Sequence, residues 1–185
     1  RNNSMTVRVS KPAFNLREKL SELDFDRVPI QKMPAGSVVQ VKYHFIGATE
    51  TGGSTHNSNS TTYNDTGEHV LISPRFSTSK VLVSLGVQIY ATSSLYHSYV
   101  AIVRDDNIGT GSHTSNNVLF HSSALWESSG PGQAGNISQQ FLDSPNTTSQ
   151  VKYSIYVKSD NTNNTVYING STYSDAYIMA MEIKQ

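Results

Sequence analysis

Apolar residues recur at every second position through most of this chain, the period of a strand with one face buried. The run Ser37 to Ile46, SVVQVKYHFI, puts Val39, Val41, Tyr43 and Phe45 on one face and Val38, Gln40, Lys42 and His44 on the other. Lys80 to Tyr90, KVLVSLGVQIY, is the densest core signal, with Val81, Val83, Leu85, Val87 and Ile89 sharing a face. Tyr96 to Val103 supplies a partner strand of matching length. Further strands are expected in TTYND and EHVLISP, on either side of a Thr66-Gly67 turn, and at Val118 to Trp126 and Ile137 to Leu142. The last third, Gln150 to Lys184, reads as the strands QVKYSIYVKS, TVYING and AYIMAMEIK, separated by the turns DNTNN and STYSD. In the closing strand Tyr177, Met179, Met181 and Ile183 share one face, which is placed in the protomer core as an expectation. That sets Ile178 and Ala180 on the opposite face, near a subunit contact.

One segment breaks the period of two. Asn15 caps a predicted helix over residues 15–24, Glu18 completes a capping box, and Leu16, Leu20 and Leu23 fall on one side with Phe14 and Phe25 flanking them. Isolated helices need about 12–15 residues to hold in water, so this one must dock, either on its own sandwich or as a peg in a larger assembly. Asp26 to Pro34, DRVPIQKMP, follows as an extended linker. The expected division is therefore an N-terminal helix and linker over 1–34 and a domain over 35–185. Residues 47–60, 105–115 and 128–135 read as loops. About ten short strands and no second helix point to an all-β sandwich or jelly roll and away from any βαβ fold.

Composition narrows the function classes. Of 185 residues, 15% are charged, and Lys plus Arg equal Asp plus Glu at 14 each, so no net field recruits nucleic acid or an anionic membrane. No run approaches the 18 apolar residues of a membrane span, and the opening RNNSMTVRVSKP lacks the apolar stretch of a secretory signal, so a soluble chain is expected. With no Cys, disulfides and thiolate metal sites are ruled out.

Candidate chemistry is sparse. His44, His56, His69, His97, His113 and His121 stand singly, without the paired spacing of a metal strand, although His97 and His121 could meet across two strands. Asp105-Asp106-Asn107 lacks the distal Glu of a calcium loop. Glu68, Glu127, Asp143 and Glu182 occur one at a time, and no Gly-x-Ser-x-Gly elbow is present, so neither glycan hydrolysis nor serine chemistry is indicated. No metal, cofactor or catalytic residue is expected. Tyr90, Tyr96 and Tyr173 near loop ends, with Trp126 beside a Gly-Pro-Gly loop, are the candidates for stacking on a sugar ring. Ser84 and Gly86, opposite the core face of their strand, suggest close approach by another backbone or subunit.

Several stretches together resemble a known group. KPAFNLREKLSELD (Lys11 to Asp24) resembles the N-terminal motif of virion and tail-fibre-like proteins of marine and cyanobacterial tailed phages. MPAGSVVQV (Met33 to Val41) resembles the start of their distal domain. YNDTGEHVLISPRFSTSKVLV, FLDSPNTTSQVKYSIYVKS and TVYINGSTYSDAYIMAMEIK are similar to a recurrent fibre-tip domain of that group, a jelly roll of the C1q/TNF type. The resemblance implies a non-enzymatic virion protein, assembled in the host bacterial cytoplasm, that forms a homotrimer. Phe14, Leu16, Leu20, Leu23 and Phe25 would anchor it to other virion proteins of the capsid or tail. Ser84, Gly86, Ile178 and Ala180 are the implied trimer contacts, and host-surface glycan is the candidate ligand. Few residues separate peg from knob, which implies a short spike, head fibre or decoration protein. A free carbohydrate-binding lectin and a glycan-degrading tailspike are the alternatives.

Overall fold

A computed structural model describes residues 29–47, 57–93, 96–105, 118–124, 133–168 and 176–185. The chain divides into two compact units, Arg1–Pro34 and Ala35–Gln185. In the first, the described residues form a single 3₁₀ turn, Ile30–Lys32, where an extended linker was expected. Pro29, with φ −53°, accepts the Lys32 N–H at 2.8 Å and closes the turn. The predicted helix over 15–24 and its residues Phe14, Leu16, Leu20, Leu23 and Phe25 lie outside the described residues.

The second unit is all β: β1 (Val38–Ile46), β2 (Asn57–Ser58), β3 (Asn64–Ile72), β4 (Lys80–Ala91), β5 (Ser98–Asp105), β6 (Val118–Ala124), β7 (Gln133–Asp143), β8 (Val151–Ser159), β9 (Val166–Ile168) and β10 (Ala176–Ile183). They form two antiparallel sheets. The first runs β1-β10-β4-β9-β2 with β7 on the other side of β4, and the second runs β3-β8-β5-β6. The strand β4 is the spine of the first sheet: β10 pairs with its start, β9 with its end and β7 along nearly all of it.

Between the sheets lies one apolar core. Val81, Val83, Leu85 and Ile89 from β4 are fully buried, as their alternation predicts, against Val100 and Ile102 of β5 and Tyr153 and Ile155 of β8. Two expectations about local structure change. Asn64 and Asp65 of TTYND and Glu68 to Ile72 of EHVLISP belong to one strand, β3, because Gly67 takes φ +82° as a bulge between Asp65 and His69 rather than closing a turn. In β1 an irregularity between Val38 and Gln40 puts Val38 opposite Ile183 and Gln40 opposite Glu182, so Val38, and not Val39, continues the row of Val41, Tyr43 and Phe45.

Two buried carboxylates tie the sandwich together. Glu182, fully buried on the inner side of β10, accepts the backbone N–H groups of Arg75 (2.8 Å) and Phe76 (3.2 Å) and the Gln40 amide (2.7 Å). It fastens the β3–β4 connection to the first sheet. Asp143 of β7 accepts both the Arg104 guanidinium of β5 (2.9 Å) and the Tyr153 hydroxyl of β8 (2.8 Å), pinning one sheet to the other.

Candidate functional site

The side-chain direction of β10 is the reverse of the sequence expectation. Ala176, Ile178, Ala180 and Glu182 are buried, whereas Tyr177, Met179, Met181 and Ile183 face outward and are only half-buried. The reason is the partner strand. Inward from β4 come Val81, Val83 and Leu85, and the neighbouring inward positions of β10 are filled by small Ala176 and Ala180 around a single Ile178. Ile178 and Ala180 are therefore core residues at 0% exposure and cannot be surface contacts for another subunit.

What β10 turns outward joins a large apolar surface. Tyr43 stands opposite Met179, Phe45 opposite Tyr177, and Val41 opposite Met181, which in turn stands opposite Leu82 of β4. Leu142 of β7 continues the row beyond Leu82. The large hydrophobic side chains that remain exposed among the described residues are Val38, Val41, Tyr43, Phe45 and Leu142, at 43–58% exposure. All of them lie on this one outer face. Of the outward positions on β1, β10, β4 and β7 among the described residues, only Lys80, at the end of β4, carries charge. Contiguous exposed apolar surface is uncommon on monomeric soluble proteins.

The face is also pre-shaped. The Tyr43 and Tyr177 rings stack with centroids 5.8 Å apart and planes 21° from parallel. Tyr177 lies flat over Gly86, so close that a Cβ there would fall 2.5 Å from its Cε1. The space at Gly86 is thus filled by a ring of the same chain, not by a neighbouring backbone. Ser84 beside it is 2% exposed. Towards β7 the face becomes polar, through Gln140, Ser138 and Asn136.

The other sequence candidates scatter. Tyr90 lies at the far end of β4 against Tyr167 of β9, with centroids 5.7 Å apart. Tyr96 sits in the β4–β5 connection, and Trp126 and Tyr173 lie outside the described residues. His97 bonds to Asp160, while His121 stands opposite Ala101, well along the strand from it. Among the described residues no group of three or more His, Cys, Asp or Glu is placed to hold a metal, and no helix is long and apolar enough to cross a membrane. Both oxygens of Asp143 are engaged by Arg104, so it offers no free base.

The residues that build the face were visible as apolar alternation in β1 and β10, but alternation alone does not say which side is in. The available clue was that β10 is apolar on both sides, which a strand buried on one face does not need. No protein-family model matches the sequence, and no curated protein matches it.

Proposed function

We propose that this chain is a non-enzymatic structural subunit that assembles as a homotrimer through the outer face of its β1-β10-β4 sheet. The observation that carries this is the uncharged apolar surface of Val38, Val41, Tyr43, Phe45, Met179 and Leu142. Tyr43 is 58% exposed; on a side chain of about 200 Å², removing that from water is worth roughly 3 kcal/mol per copy. Association costs reduce the net gain. The strand order β1-β10-β4-β7 against β3-β8-β5-β6 is the arrangement two interlocked Greek keys produce, which supports a jelly roll and, with the motif resemblance, a C1q/TNF-like knob.

The resemblance of residues 11–24 and of the knob segments to phage appendage proteins extends the proposal. The N-terminal segment anchors the trimer to the capsid or tail of a phage particle, and the knob projects outward as a short fibre, spike or decoration. Sedimentation equilibrium on the full chain tests the assembly. We expect three times the chain mass, falling to one for Tyr43→Lys combined with Phe45→Lys; a monomeric wild type overturns the proposal. Immunogold labelling of purified particles tests the location. Leu20→Asp should abolish incorporation while leaving the trimer intact, and absence of the wild type from particles would reject the virion assignment.

A further inference from the structure

On the opposite sheet, three side chains stand in a row across its outer face. Lys158 of β8 pairs directly with Tyr99 of β5, and Tyr63, immediately before β3, flanks Lys158 on the other side. The ammonium sits 4.8 Å from the centre of the Tyr63 ring and 4.6 Å from that of Tyr99. Arg104 and Lys152 each meet a carboxylate, at 2.9 and 3.6 Å, but among the described residues Lys158 has no anionic partner. Among the described residues its charge is held by the two ring faces.

Beside the row lies His97, whose ring centre is 6.1 Å from that of Tyr99. Asp160 accepts the His97 backbone N–H at 2.9 Å and lies 2.6 Å from Nδ1, so both carboxylate oxygens are occupied and the imidazole is oriented. Among the described residues Nε2 of His97 and the hydroxyl of Tyr99 make no hydrogen bond. Burial, with a further contribution from Tyr99, pushes the Tyr63 phenol up to about 12, so it stays protonated and neutral.

The platform is tied down at several points. Tyr63 packs on the closed cluster of Ala101, Val103 and Tyr156. The backbone beneath is fixed by Ser159 N–H donating to Ser60 O at 2.8 Å and by the buried Asn164, whose amide donates to Ser98 Oγ and Ser159 Oγ. The row thus offers a cation with no anionic partner among the described residues, together with the Tyr99 hydroxyl and His97 Nε2, on paired strands. Nucleic acid would need several free cations, and a hydrophobic partner would need the broader apolar surface of the other sheet.

We propose that Tyr63, Lys158, Tyr99 and His97 form a binding site for an acidic sugar, the carboxylate taken by Lys158, the sugar hydroxyls by Tyr99 Oη and His97 Nε2, and the ammonium held in place by the two rings. The site would give the projecting knob a ligand, and it rests on the proposed function only for the biological source of the sugar. It lies on the sheet opposite the proposed assembly face.

The test is isothermal titration of the full chain, at low salt, with tetrasaccharides of galacturonate, glucuronate and mannuronate, with a neutral galactose tetrasaccharide, and with acetate alone. At least one uronate should bind more tightly than either control. Lys158→Met should weaken that binding by about tenfold, and Tyr99→Ala by a similar factor, with urea midpoints confirming that both variants are folded. Tyr43→Lys with Phe45→Lys should retain the affinity. If no uronate binds, if the neutral sugar or acetate binds as well, or if Lys158→Met binds like wild type, the site is rejected. A trimer that binds no uronate rejects this inference alone, and a monomer that binds one rejects the assembly alone.

Discussion

Gly86 is the position where a single methyl group tests the outer face. An Ala Cβ there would lie 2.5 Å from Cε1, 2.9 Å from Cζ and 3.2 Å from Cδ1 of Tyr177, inside contact distance for all three. The Gly86 backbone is not in the left-handed region, so Ala is allowed conformationally and would gain about 0.5–1 kcal/mol from the unfolded state. Against that, overpacking costs about 1–3 kcal/mol, and displacing Tyr177 breaks its stack on Tyr43, worth about 0.5–1.5 kcal/mol. The half-exposed ring can swing outward, which places the overpacking near the low end. We therefore expect Gly86→Ala to destabilise by about 1 kcal/mol overall. The decisive comparison is a double-mutant cycle with Tyr177→Ala, read as urea midpoints at one fixed protein concentration. Without the ring, Gly86→Ala should become neutral or slightly stabilising, a coupling of about 1–2 kcal/mol. If it destabilises equally in both backgrounds, Tyr177 is not what fills the space above Gly86.

Other consequences follow from the buried polar groups. Glu182→Ala would leave the N–H groups of Arg75 and Phe76 and the Gln40 amide without their acceptor, and should cost about 3–5 kcal/mol in urea unfolding, with Glu182→Gln recovering part of it. A loss below about 1 kcal/mol would mean that water replaces the carboxylate. Tyr153→Phe removes the hydroxyl that donates to Asp143 and should cost about 1.5–3 kcal/mol, measured the same way. The Tyr63 phenol is raised from its usual value near 10 to about 12 by burial. The folded state therefore holds that proton more tightly, and the stability it contributes is fully present below pH 10 and lost as pH rises through about 12. Tyr63→Phe should show a shallower decline of the urea midpoint over that window.

How much of this was legible in the sequence depends on which physical quantity carried it. The period of two marked the strands, and in β4 it also identified the core face, because Ser84, Gly86 and Gln88 on the other side made the choice unambiguous. Gly67 was correctly singled out, but whether a positive φ closes a turn or makes a bulge depends on the strand opposite, here β8. The row of Tyr63, Lys158 and Tyr99 had no sequence signal at all. Those residues are far apart in the chain and meet only through the pairing of β8 with β3 and β5.

The sequence by itself determined an all-β domain over residues 35–185: alternation, the scarcity of helical periods there and the Gly- and Asn-rich turns leave two-layer packing of strands as the way to bury Val, Ile and Leu. Only the tertiary structure decided which way β10 points. Both its faces are apolar, so local pattern is degenerate, and the choice was made by volume between the sheets. The inner side holds small Ala176 and Ala180, with Glu182 reaching the β3–β4 connection, while Tyr177, Met179 and Met181 are too bulky for that layer and remain outside beside Tyr43 and Phe45.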